Sequence, residues 1–267
     1  MHKADNNGCA IHYTIDGAGG RDVVLIPGLG GSCVQMAGIR NALARHFRVI
    51  TIDPRGGGES DHPDQPYTAA DLVADTVAVM DACGSSAADF IGISFGAMIA
   101  QEVAIREPQR TRSLLLASSY AAADAWSRQM WQVRESLIEN QGLRAHMELA
   151  VMFLFSPRTF RTEHETVERL QAAFAGLPDD SIGYRRQLAY CRDHDTTDRL
   201  HAIKASTHVV TGAEDILCSP LQGRELAEGI LGASYEEIDG AAHLFMLSQP
   251  ERFASLSREF IERVPLA

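Results

Sequence analysis

Apolar residues along this chain gather in short runs that end in turn residues. "DVVLIPG" at 22–28 and "FRVITID" at 47–53 are β-branched runs closed by glycine, proline or aspartate. "ADFIGIS" at 88–94, "RSLLLASS" at 112–119, "THVVTGAED" at 207–215 and "SYEEIDG" at 234–240 repeat the theme. Runs this short and nearly continuous predict buried strands. Between them the spacing changes to a helical one, as in 68–83 ("TAADLVADTVAVMDAC") and 96–107. Strands alternating with helices predict a parallel sheet covered on both faces.

One stretch breaks the alternation. From about 120 to 197 no strand pattern occurs. Helical segments are predicted at 124–140, 143–155, 159–175 and 181–194, punctuated by Gly142, Pro157 and Pro178. The expected organisation is therefore a core of 1–119 and 198–267, with 120–197 inserted as an all-helical cap.

Composition narrows the function. The chain has 267 residues, long enough for one large core with an insertion, and a formal net charge of −11. That balance argues against nucleic acid or an anionic membrane as partner. The N-terminal "MHKADNNGCAIHYTIDG" lacks the apolar core of a secretory signal, and "LAVMFLF" at 149–155 is too short to span a bilayer. A cytoplasmic protein acting on a small-molecule substrate is expected, with a homodimer left open. The five cysteines, Cys9, Cys33, Cys83, Cys191 and Cys218, are scattered and never spaced C-x-x-C, which reads as reduced thiols. The histidines form no H-x-x-x-H or H-E-x-x-H pair. No metal and no organic cofactor is expected; G-x-G-x-x-G fails at Cys33.

The candidate chemistry starts at Gly92-Ile93-Ser94-Phe95-Gly96. A G-x-S-x-G pattern alone is weak, but here it joins a predicted strand to a predicted helix, the context of a nucleophile elbow. Such a turn lifts the hydroxyl over the sheet and aims the helix N-terminus at a developing oxyanion. Serine then needs a base, and the base an orienting acid. Asp215 follows one strand and His243 another, giving the order Ser, Asp, His. Glu214 and Asp239 compete for the acid's place. The expected oxyanion donors are the backbone amides of Phe95 and of Leu29 in "IPGLGGS" (26–32).

Five ordered pieces, "PGLGGS", "DPRGGGES", "GISFG", "GAED" and "GAAH", resemble the α/β-hydrolase superfamily over essentially the whole chain. The resemblance implies an α/β-hydrolase fold: a mostly parallel sheet of the eight-strand type, helices on both faces and an inserted all-helical cap. It makes Asp53, Arg55 and Gly58 a structural turn. Family members usually carry His-Gly where this chain has Pro27-Gly28. A serine at the elbow argues against dehalogenases and most epoxide hydrolases, which use aspartate there. "GLGGS", "QVRESL" (132–137) and "FLFSPRTF" (153–160) are similar to a small bacterial branch containing 3-oxoadipate enol-lactonases and an aminoacrylate hydrolase.

The leading expectation is a serine hydrolase that cleaves a small ester, lactone or activated amide through an acyl-enzyme. The alternatives are a carbon–carbon bond hydrolase of ring-cleavage products, a lyase or cyclase, and a non-catalytic ligand receptor on the same fold. Gly28, Trp126, Met130, Phe153 and Met246 are the expected substrate contacts. Trp131, Met147, Met152 and Phe155 are further apolar candidates. Arg134, Arg144, Arg161 and Arg185 are either anchors for a substrate carboxylate or solvated surface charges.

Overall fold

A computed structural model describes residues 2–175 and 182–266. Strands β1 (His2–Asn6), β2 (Cys9–Asp16), β3 (Asp22–Ile26), β4 (Arg48–Ile52), β5 (Ala88–Ile93), β6 (Thr111–Ala117), β7 (Ser206–Gly212) and β8 (Ser234–Ile238) form one sheet. Its order is β1-β2-β4-β3-β5-β6-β7-β8. β1 and β2 run antiparallel to their neighbours, and every pairing from β4 to β8 is parallel. All six predicted strands are present, each shorter than its apolar run because the last residues turn into a loop. The N-terminal hairpin is an addition to them. Its turn is Asn7-Gly8, with φ 52° and 87°, a pair of positive dihedrals that Asn-Gly supplies readily.

The helices are α1 (Ala37–Leu43), α2 (Ala69–Ala82), α3 (Phe95–Arg106), α4 (Ala125–Leu154), α5 (Pro157–Thr162), α6 (His164–Ala175), α7 (Ile182–Asp193), α8 (Pro220–Gly229), α9 (Phe245–Ser248) and α10 (Pro250–Arg263). Alternate residues of the central strands pack to opposite sides. Val24, Ile26, Phe90 and Leu114 meet α2, α3 and α8 on one face. Val23, Leu25, Ile91 and Leu115 meet α1 and α10 on the other. That is why these strands read as continuous apolar runs.

α4 to α7 lie between β6 and β7. The chain leaves and re-enters the sheet side by side: Ala122 bridges Asp195, and the Thr196 amide donates to the Ala121 carbonyl (2.9 Å). Gly142 (φ 85°, ψ 171°) breaks α4 where a helix boundary was expected. Pro157 opens α5 behind the capping Ser156, and the expected helix 159–175 is split at Glu163. Pro178 and the first residue of the predicted helix 181–194 lie outside the described residues.

The turn after β4 is built around Asp53. Its carboxylate accepts from the Cys33 amide (2.5 Å), the Glu59 amide (2.9 Å) and the His12 ring (2.8 Å). His12, Cys33 and Asp53 approach like a metal-ligand trio. The carboxylate is already occupied by these donors, and the Cys33 thiol faces the Thr51 carbonyl (3.2 Å). The trio is accounted for as a turn. Arg55 is buried with Asp75 at 2.6 Å.

At the β5–α3 junction the backbone leaves no room for side chains. A Cβ on Gly96 would stand 2.1 Å from the Ile26 carbonyl oxygen, and one on Gly92 would stand 2.5 Å from Ala97 Cα. Gly96→Ala is therefore expected to destabilise the fold by about 3 kcal/mol or more, since main chain must move. Urea unfolding measures it; a loss below about 0.5 kcal/mol, the range of a neutral surface change, would contradict this packing.

Candidate active site

Ser94 sits between the end of β5 and the start of α3 with φ 54° and ψ −115°. A non-glycine residue adopts positive φ only under local constraint. Here the Ser94 amide donates to the Ala117 carbonyl on β6 (2.8 Å), and the glycines let β3 and α3 close around it. The hydroxyl then lies 3.1 Å from His243 Nε2. His243 Nδ1 is 2.9 Å from Asp215 Oδ2. The other carboxylate oxygen, Oδ1, accepts the amides of Leu217 and Cys218, each at 2.9 Å. Asp215 and His243 are both buried. The Ser118 hydroxyl, donating to the His243 carbonyl (3.0 Å), fixes that loop from below.

The competing acids are elsewhere. Glu214 pairs with Arg158 of α5 (3.0 Å), and Asp239 is exposed. The structure thus brings Ser94, His243 and Asp215 into one hydrogen-bonded line.

Gly28 lies beside Ser94: a Cβ there would stand 3.3 Å from Ser94 Cβ. The Gly31 amide donates to the Gly28 carbonyl (2.9 Å), closing a turn with Gly30 at φ 69°. Positive φ at the third residue is the type II geometry, which glycine permits. The Leu29 and Phe95 amides meet no acceptor among the described residues. Phe95 opens α3, so its N–H has no partner within the helix.

Above Ser94 and His243 is a cavity of ≈ 70 Å³. The core supplies Gly28, Leu29, Met246 and Leu247, and the insertion supplies Trp131, Arg134, Met147, Leu154, Phe174 and Tyr184. Three expected substrate contacts lie outside this lining. Trp126 is exposed, with its indole N–H on the Ile216 carbonyl (2.9 Å). Met130 and Phe153 each precede a lining residue, Trp131 and Leu154, so the helix turns them about 100° away from the cavity. Met152 is exposed, and Phe155 packs with Val151, Val167 and Leu170.

The arginines separate sharply. Arg144, Arg161 and Arg185 are exposed. Arg134 is only 4% exposed and lines the cavity. Its Nε donates to His146 Nε2 (2.9 Å), its Nη2 to the Tyr184 hydroxyl (2.8 Å), and its plane lies over the Trp131 ring at 4.6 Å. No carboxylate pairs with it among the described residues, in contrast to buried Arg55. Burial and the adjacent Arg134 cation lower His146 to about 3, so it is a neutral imidazole. Burial raises the Tyr184 phenol, which stays a hydroxyl. A buried cation among neutral groups is ready for an anion. His146, Tyr184 and Gln187, whose Oε1 accepts the Gly30 amide (2.8 Å), were not singled out in the sequence. Each sits within an ordinary helical pattern.

The chain matches the model of the alpha/beta hydrolase family over residues 23–256 and belongs to that family. It is an enzyme of the α/β-hydrolase class. It is 29% identical over 254 residues to RutD of Azorhizobium caulinodans, named as a carbamate hydrolase, covering 95% of each chain. It is 30% identical over 207 residues to 3-oxoadipate enol-lactonase 2 of Acinetobacter baylyi, covering 78% of this chain and 76% of that one. The crystal structure of the enol-lactonase from Burkholderia xenovorans LB400 superposes with a TM-score of 0.90 at 28% identity, over 98% of this chain and 100% of that one. Among the described residues no helix is long and apolar enough to cross a membrane.

Burial also lowers His194, to about 4. In the unfolded chain both imidazoles titrate near the ordinary value of about 6.5. Between about 4 and 6.5 the unfolded chain binds protons that the folded one refuses, so stability falls on acidification. The expected slope is up to about 1.4 kcal/mol per pH unit for each histidine. Unfolding free energies from pH 7 to 4 should show it, with a shallower slope in His146→Phe and in His194→Phe. Slopes equal to wild type in both variants would contradict the assignment.

Proposed function

We propose that the protein is a serine hydrolase that cleaves a small, carboxylate-bearing ester, lactone or activated amide through an acyl-enzyme. The observation that carries this reading is the continuous line from Ser94 Oγ through His243 to Asp215. Asp215 holds His243 with Nδ1–H toward it, leaving Nε2 free to take the Ser94 proton. Ser94 Oγ then attacks the carbonyl carbon. The oxyanion is met by the Leu29 and Phe95 amides, at the positive end of α3. His243 returns its proton to the leaving oxygen or nitrogen, and the Ser94 ester remains. Water, deprotonated by His243, repeats the sequence and releases the acid.

The insertion acts as the cap that selects the substrate. Its apolar residues fit a short carbon skeleton, and Arg134 supplies one full charge. An anion there would regain part of what the guanidinium loses on leaving water, while Trp131 supports the cation from its face. The likeness to a carbamate hydrolase and to enol-lactonases supports an acyl-type substrate of small size.

Two expected outcomes test the reading. Ser94→Ala folds as wild type and lowers kcat at least about a thousandfold on its best ester or lactone. Retention of a tenth of the activity would overturn the nucleophile. Arg134→Met removes a charged hydrogen bond worth about 2–3 kcal/mol, so KM for a carboxylate-bearing ester rises roughly 30- to 150-fold. The uncharged methyl ester of the same skeleton should change little. Equal losses on both would show that Arg134 shapes the cavity without binding the anion.

A further inference from the structure

Gln187 lies on α7, in the insertion, and is fully buried. Its side chain is used at both ends. Oε1 accepts the Gly30 amide (2.8 Å), and Nε2 donates to the Arg55 carbonyl (2.8 Å). It therefore joins three pieces distant in sequence: the glycine loop beside Ser94, the turn after β4, and the insertion. The seat is tight. A Cβ on Gly183 would stand 2.4 Å from the Gly56 carbonyl oxygen, and one on Gly57 would stand 3.2 Å from Gln187 Nε2. Tyr184, one turn before Gln187, lies against Gly30: a Cβ there would stand 2.8 Å from its ring.

We propose that Gln187 is a positioning residue for the oxyanion loop, and that the insertion thereby takes part in the chemistry as well as in substrate choice. In the turn Gly28–Gly31 the peptide between Leu29 and Gly30 has two orientations, distinguished by where the Gly30 N–H points. Gln187 Oε1 captures that N–H and selects one. The other would turn the Leu29 carbonyl toward Oε1, acceptor against acceptor. With the Gly30 N–H taken, the Leu29 amide is left for the oxyanion. The inference rests on the reading of Ser94 as nucleophile and Leu29 as donor.

The test compares Gln187→Met, which keeps the length and removes both hydrogen bonds, with Gln187→Glu. Burial raises the pKa of an introduced carboxyl, and the protonated acid can still accept from Gly30 and donate to Arg55. Arg186→Ala, which breaks only the exposed pair with Asp64 (2.7 Å) on the same helix, is the control for a loosened α7. Each is assayed for kcat and KM and for inhibition by butylboronic acid, which forms a tetrahedral adduct on an active serine. In Gln187→Met, kcat and boronate affinity should fall together by about 10- to 100-fold, below the loss of a whole donor, with KM changed less than threefold. Gln187→Glu should recover most of both, and Arg186→Ala should match wild type. Should Gln187→Met fail to fold, Gln187→Ser is read in the same way. A folded variant with unchanged boronate affinity, or a loss in KM and thermal stability alone, overturns the proposal. A wild type that boronate does not inhibit overturns the nucleophile assignment, and this one with it.

Discussion

The site depends on a single backbone constraint, the closure of β3, β5 and α3 around Ser94. An L-residue at φ 54° and ψ −115° costs about 1–3 kcal/mol. It persists because its surroundings leave the chain nowhere else to go. The Ser94 amide is held by Ala117, the Ile26 carbonyl fills the space where Gly96 lacks a side chain, and Gly28 lies against Ser94 itself. These same contacts aim the hydroxyl at His243. Strain, packing and geometry are here one arrangement, which is why the glycines flanking Ser94 matter as much as the serine.

The electrostatics of the site fall into two unlike halves. Below Ser94, Asp215 is satisfied from every side: the His243 ring on one oxygen, the Leu217 and Cys218 amides on the other. Its charge is spent inside the protein, on holding the His243 ring and the Leu217–Cys218 turn. Above Ser94, the Arg134 charge is held by the neutral His146 and Tyr184 and by the face of Trp131. Burying a cation without a counter-ion is costly, so the arrangement is stable only to the extent that these neutral groups replace water. A carboxylate partner in the protein would relieve that cost and remove the attraction for a ligand. In the proposed function, the separation of a filled charge below from an open one above would orient a substrate across the serine.

Much of this was legible in the sequence, for physical reasons. Buried parallel strands must be apolar on both faces, so β3 to β7 stood out as runs, while the edge strand β8, with Ser234, Glu236 and Glu237 exposed, carried the pattern only at Tyr235 and Ile238. Ser94, Asp215 and His243 lie at strand ends, where order along the chain constrains their meeting. β1 and β2 were missed because β1 offers only Ala4 among polar residues, and β2 alternates Ile11, Tyr13 and Ile15 with His12, Thr14 and Asp16, a pattern less conspicuous than a continuous apolar run; Asn7-Gly8 marked the turn between them. The cap was harder. A helix hides which side of it faces inward until its partners are known, and the break at Gly142 resets the phase between Trp131 and Met147. Trp126, Met130 and Phe153 were therefore misplaced relative to the cavity, while Trp131 and Leu154, one position along, line it. Arg134 could not be told from Arg144 by residue type. Its burial depends on His146 and Tyr184, brought to it only by the fold.

In the proposed function Ser94 carries the acyl group of a substrate during turnover. Acid quenching within milliseconds of mixing enzyme with a slow carboxylate-bearing ester, followed by intact and peptide mass measurement, tests it most directly. The expected result is a mass gain equal to the acyl group, confined to the peptide containing Ser94 and absent in Ser94→Ala. Rapid turnover with no adduct on Ser94, or an adduct on another residue, would contradict it.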